Sequence, residues 1–160
     1  MARKVETSAG LLAFRRRDGI QVLLAHPGGP YWASKDEGAW SIPKGLAECG
    51  ADLLATARRE FGEETGLTPV GPFIGLAPVK QRSGKIVHAF AVEADLDLTG
   101  FRSNRFEVEW PPKSGRRRCF PEVDRVAYFD VATALRKILP YQRPFIDEFL
   151  RKVGAHEDAR

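Results

Sequence analysis

Apolar positions early in the chain come in short alternating runs. Residues 6–14 and 20–25 read as two strands joined by Asp18-Gly19, a pair that supplies the positive φ needed by a tight hairpin. Residues 27–39 form a loop rich in Gly, Pro and aromatic side chains, followed by a short strand, Trp40-Ser41-Ile42, and the turn Pro43-Lys44-Gly45. Loops of this length in a compact domain are commonly functional. The period then changes. Over residues 51–65, Leu53, Leu54, Ala57 and Phe61 recur on one helical stripe, and Gly66 is placed to end the helix.

Further along, residues 73–80 and 85–95 are β-rich and flank a Gln81-Arg82-Ser83-Gly84 turn. Residues 106–110 and 126–129 supply two more strands, and residues 131–139 and 142–152 read as helices broken at Pro140, with Pro144 tolerated in a first turn. Strands on both sides of one helix, with helices at the end, predict an α+β sandwich. The 160 residues, 43% of them hydrophobic, suffice for one core. Residues 1–153 are expected to form a single domain, with residues 154–160 a frayed tail.

Composition narrows the classes. No apolar run approaches the roughly 18 residues of a membrane helix, and the basic start is followed by too short an apolar stretch for a secretory signal. Cys49 and Cys119 have no partner at metal-ligand spacing, so neither a zinc site nor a disulfide framework is expected, and a cytoplasmic protein with reduced thiols is. The net charge of +4 suits an anionic ligand. Arg116-Arg117-Arg118 reads as a solvated loop, and nucleic-acid binding is not expected. Nothing in the sequence speaks to oligomeric state.

The predicted helix carries unusual charge. Glu60, Glu63 and Glu64 stand at i, i+3 and i+4, so three carboxylates crowd one surface with Arg59 as their nearest relief. Glu64 falls near the buried edge, and the upstream glycine turn offers carbonyl oxygens. Magnesium uses such a set, taking a few carboxylates and keeping places for water and substrate phosphate.

The 23 residues from Gly45 to Leu67 resemble the Nudix box, Gly-x5-Glu-x7-Arg-Glu-U-x-Glu-Glu-x-Gly-U, with U an apolar residue. The flanking pattern is similar to the Nudix α/β/α sandwich with a mixed sheet. The resemblance implies that Glu60 and Glu64 ligate Mg²⁺, with Mn²⁺ as a substitute. It makes Glu63 a ligand or water-mediated partner and the Gly45 carbonyl a further donor, while Arg59 orients the glutamates. One position departs: Ala51 stands where the box has its first glutamate. That residue chiefly supports the box arginine, and Asp52 or Glu48 is expected to replace it here.

The same resemblance implies Mg²⁺-dependent hydrolysis of a phosphoanhydride, a dinucleoside polyphosphate ahead of a nucleoside triphosphate. Trp40-Ser41-Ile42-Pro43-Lys44-Gly45 resembles the entrance to the box in hydrolases of dinucleoside polyphosphates and diphosphoinositol polyphosphates, which makes Lys44 a phosphate contact. Lys80, Arg82 and Lys85 would extend that cationic wall. Glu122 is the first candidate for a general base, ahead of Glu107 and Glu109, with the box residue Glu63 next if all three fail, because it precedes Tyr128-Phe129 as a distal glutamate precedes an aromatic strand in diadenosine tetraphosphate hydrolases. Tyr128 is a candidate for stacking on a base. Two alternatives stand beside this reading: a diphosphoinositol polyphosphate hydrolase, and a non-catalytic nucleotide-binding regulator, motivated by Ala51.

Overall fold

The computed structural model describes residues 5–158, with side chains through Gly154. Strand β1 (Thr7–Arg16) turns through Asp18 and Gly19, both at positive φ (53° and 98°), into β2 (Ile20–Pro27). The remaining elements follow as β3 (Lys44–Ala47), α1 (Leu53–Thr65), β4 (Phe73–Lys80), β5 (Ile86–Glu93), β6 (Arg105–Glu109), β7 (Arg117–Pro121), β8 (Val123–Asp130), α2 (Val131–Lys137) and α3 (Arg143–Asp158). Helix α3 continues through residues 154–158, part of the stretch expected to fray.

The main sheet runs β4-β5-β1-β2-β8, with β3 also pairing with β1. Only β1 and β5 are parallel, so the sheet is mixed. Strands β3 and β2 share one edge of β1: β3 pairs with its first half, Thr7 to Gly10, and β2 with its second, Phe14 to Arg16. Alternation along β1 divides the core. Ala9, Leu11 and Ala13 face Ala57 and Phe61 of α1, while Leu12 and Phe14 face Phe145, Ile146 and Phe149 of α3. Both faces are covered, and the α/β/α sandwich follows.

Several boundaries differ from expectation. Trp40-Ser41-Ile42 makes only isolated bridges, Ser41 with Ala25 and Trp40 with Ile138, and the strand at this place is β3, which begins after Pro43. Arg117 and Arg118 of the run read as a loop open strand β7, which pairs with β6 from Glu109↔Arg117 to Arg105↔Pro121. Strand β8 begins at Val123, three residues earlier than predicted, so Glu122 lies at the junction of β7 and β8. No helix among the described residues is long and apolar enough to cross a membrane.

Candidate active site

Helix α1 is set by local chemistry. Asp52 caps it by accepting from the Ala55 N–H at 3.1 Å, and Gly66, at φ 73°, closes it with its N–H on the Gly62 carbonyl. Phe61 and Ala57 are fully buried against the sheet, which points the adjacent Glu60 and Glu64 toward β3. The approach is close. A β-carbon at Gly45 would lie 2.0 Å from the Glu60 carboxyl carbon, so only glycine lets the β3 backbone pass over that carboxylate. One residue earlier, the Lys44 main-chain N–H donates to Glu64 Oε2 at 3.1 Å.

A cleft of about 110 Å³ opens beside this contact, lined by Ala25, Pro27, Ser41, Ile42, Lys44, Glu64, Glu122 and Val123. Larger depressions exist, such as one of about 540 Å³ between β4 and α3, but this cleft alone among those described joins two carboxylates and a lysine. Burial pushes the Glu64 carboxyl up to about 8, and repulsion from Glu122 and Glu60 adds to it against the Lys44 N–H. Glu60 is raised in the same way, first by burial and then by Glu63, with Glu122 contributing. The structure therefore brings Glu60, Glu64, Glu122 and Lys44 together.

Glu63 points outward. It and Glu60 each lie 3.1 Å from Arg59 Nη1, so the box arginine is held by the glutamates of its own helix rather than by Asp52, which caps α1, or by Glu48. Ala51 is exposed, with its N–H on the Glu48 carbonyl. Lys80, Arg82 and Lys85 do not line the cleft: Lys85 pairs with Glu6, just ahead of β1, at 3.0 Å, and both lysines flank a separate depression at the β4–β5 turn. Tyr128 is also elsewhere. Its hydroxyl donates to the Ala94 carbonyl at 2.6 Å and accepts from the Leu96 N–H, and Arg15 covers its ring at 3.9 Å. Six residues of strand place it ~20 Å from Glu122. Glu107 and Glu109 are exposed on β6, with Glu107 paired to Arg117.

Two buried polar residues escaped the sequence reading. Gln142, just ahead of α3, accepts from the Ile42 N–H at 3.0 Å and donates to Ser41 Oγ at 2.9 Å and to the Tyr141 hydroxyl at 3.0 Å. Because a main-chain N–H can only donate, the Ile42 contact fixes which way the amide points. His26 meets Asp124 Oδ1 at 2.8 Å through Nδ1 and the Lys35 carbonyl at 2.5 Å through Nε2, tying the 27–39 loop to β8. Partners one hundred residues apart leave no local pattern.

Among the described residues no three His, Cys, Asp or Glu side chains converge as a ready cation cage. The donor set still fits a divalent ion of the kind that keeps water and substrate oxygens in its shell. Two half-buried carboxylates and a third nearby stand in mutual repulsion, and a cation between them would relieve it.

The sequence pattern of the NUDIX domain matches residues 5–149. The chain belongs to the NUDIX family. An RNA pyrophosphohydrolase from Caulobacter vibrioides is 38% identical over 61 residues, 35% of this chain and 36% of that protein. The match thus spans about a third of the curated relative. Among solved structures, the NUDIX domain of Shewanella oneidensis NrtR complexed with ADP ribose superposes with a TM-score of 0.66 at 15% identity, covering 95% of this chain and 90% of that one. A C. elegans Ap4A hydrolase binary complex superposes with a TM-score of 0.61 at 19% identity, covering 94% and 99%. At such identities the likeness is one of fold, and the NUDIX sandwich is shared along nearly the whole chain.

Proposed function

We propose that this NUDIX protein is a Mg²⁺-dependent pyrophosphohydrolase of a nucleoside polyphosphate, with a dinucleoside polyphosphate ahead of a nucleoside triphosphate. The observation that carries the reading is the shared cleft of Lys44, Glu64 and Glu122. Glu60, Glu64 and the Gly45 carbonyl would hold the metal. When bound, it supplies neutralisation of phosphate charge and acidification of water. Glu122, across the cleft from Glu64, takes the proton of the attacking water, and the Lys44 ammonium receives substrate phosphate as a compact charge. Arg59 orients Glu60 through its 3.1 Å contact.

The diphosphoinositol alternative needed Lys80, Arg82 and Lys85 around the pocket, and their position at the β4–β5 turn, outside the cleft, withdraws that support. Loss of catalysis through Ala51 is also less compelling, because Arg59 already has two carboxylate partners. The test is a panel of dinucleoside tetraphosphate, nucleoside triphosphates, ADP-ribose, a diphosphoinositol phosphate and a 5′-triphosphorylated oligoribonucleotide. The last is included because of the Caulobacter relative's name. Mass spectrometry of products with Mg²⁺ should show cleavage of a nucleoside polyphosphate. Binding without product from any compound would make the protein a non-catalytic module.

A further inference from the structure

The β6–β7 ribbon leads directly into the candidate base. Glu122 N–H donates to the Asn104 carbonyl at 2.7 Å, which extends the ribbon's ladder by one pair beyond Arg105↔Pro121. Alternation sets Arg118 and Phe120 on one face of β7, with Phe106 opposite Phe120 and Val108 opposite Arg118, and the Asn104 contact carries that register to Glu122 in the bend that follows. Ring centroids of Phe106 and Phe120 are 6.3 Å apart, and the Arg118 guanidinium lies over Phe120 at 5.5 Å.

The neighbouring arginines Arg117 and Arg118 lie on opposite faces of the ribbon and differ in their partners. On the far face Arg117 is neutralised by Glu107 at 3.4 Å. On the Glu122 face, no carboxylate lies within ion-pair distance of Arg118 among the described residues, and Phe120 holds its charge in place. The 27–39 loop leaves Arg118 exposed. It crosses on the β6 side, where a β-carbon at Gly29 would come within 2.8 Å of Phe106 and where Tyr31 meets Trp110 edge-on at 5.3 Å. Its start is fixed to the base residue by the Gly28 N–H on the Glu122 carbonyl at 2.8 Å.

We propose that Arg118 is a specificity residue that receives a phosphate beyond the one attacked, so that the site selects chains of three or more phosphates over diphosphates. Arg118 is four residues from Glu122, ~13 Å along extended chain, and its guanidinium leans over the ring of Phe120, two residues closer, so it stands roughly 7 to 13 Å from the base. That is the span a phosphate chain covers when it extends from the attacked phosphorus. Arginine suits the position because its fork grips phosphate oxygens in pairs, and Phe120 orders the fork beforehand. The assignment rests on Glu122 marking the reacting end of the cleft, and it deepens the proposed function by naming what chooses chain length.

The experiment is calorimetric titration of inorganic tripolyphosphate and of pyrophosphate, with Mg²⁺ near physiological ionic strength, into wild type, Arg118→Gln, Arg118→Lys and Arg117→Gln. Wild type should prefer tripolyphosphate. Arg118→Gln should weaken tripolyphosphate by about fivefold, the upper range for an exposed ion pair, and leave pyrophosphate unchanged. Arg118→Lys should recover part of the loss, and Arg117→Gln should change neither anion. Equal weakening of both anions, equal effects of the two arginines, or no tripolyphosphate preference in wild type would overturn the assignment. Because these titrations read binding, they stand apart from the product panel, where failure of the hydrolase reading would appear as absence of turnover.

Discussion

The main-chain N–H of Lys44 donates to the Glu64 carboxylate at 3.1 Å, joining the first residue of β3 to the last turn of α1. That contact sets Lys44, the proposed phosphate contact, and Glu64, the proposed metal ligand, in fixed relation. It also partly offsets the cost of burying Glu64, whose carboxyl still rises to about 8.

Glu64→Gln and Glu60→Gln should each lower kcat by orders of magnitude while the fold persists, because each removes a proposed ligand and relieves repulsion. Circular dichroism with steady-state turnover at saturating Mg²⁺ checks both. Near wild-type turnover in either variant would remove it from the ligand set.

The raised Glu64 carboxyl has a pH signature in the metal-free protein. Between an unfolded value near 4.5 and a folded value of about 8, the folded chain keeps a proton that the unfolded chain has released. Stability is therefore full below the unfolded value and declines as pH rises through about 8. In EDTA, Tm should be higher at pH 5 than at pH 8.5, by roughly 5 to 10 °C. Glu64→Gln should flatten the dependence. A Tm that rises over this range in wild type would contradict the assigned burial.

Gln142→Leu keeps apolar volume but leaves the Ile42 N–H without its partner, at a cost of about 1 to 3 kcal/mol. Since Ser41 and Ile42 wall the cleft two residues before Lys44, kcat should fall with little change in KM. Ile146→Val, a fully buried change in the same helical region, controls for lost stability. Equal kcat in the two variants at matched Tm would make Gln142 a packing residue only.

Ala51→Glu restores the family's carboxylate at the start of α1. Arg59 would then share its charge with a third partner and loosen from Glu60, so Mg²⁺ affinity should rise modestly. A large loss of activity would mean that the Arg59, Glu60 and Glu63 cluster depends on alanine at this place.

Local signals account for what was legible in the sequence. The stripe of Leu53, Leu54, Ala57 and Phe61 and the closing Gly66 lie within 14 residues, and α1 with its glutamates follows from them. The Asp18-Gly19 hairpin is equally local. Strand β3 was hidden because Lys-Gly-Leu-Ala has no alternation of its own and exists by pairing with Thr7 to Gly10. Strand β7 was hidden because its first two residues are arginines, held in a ribbon by β6 rather than by a core. Tyr128 was misplaced because nearness in sequence to Glu122 becomes distance along an extended strand. Gln142 depends on contacts spanning one hundred residues, which no window contains.

The proposed role of Glu122 is that of the base that acts on water in the cleft of Lys44 and Glu64. Glu122→Gln keeps the shape and deletes the base, and turnover of a dinucleoside tetraphosphate with Mg²⁺ is the measurement. The expected result is a kcat lowered ~10²- to 10⁴-fold with KM little changed, while Glu107→Gln, on the exposed ribbon face, stays near wild type. Full activity in Glu122→Gln, with Glu107→Gln or Glu63→Gln crippled instead, would contradict it.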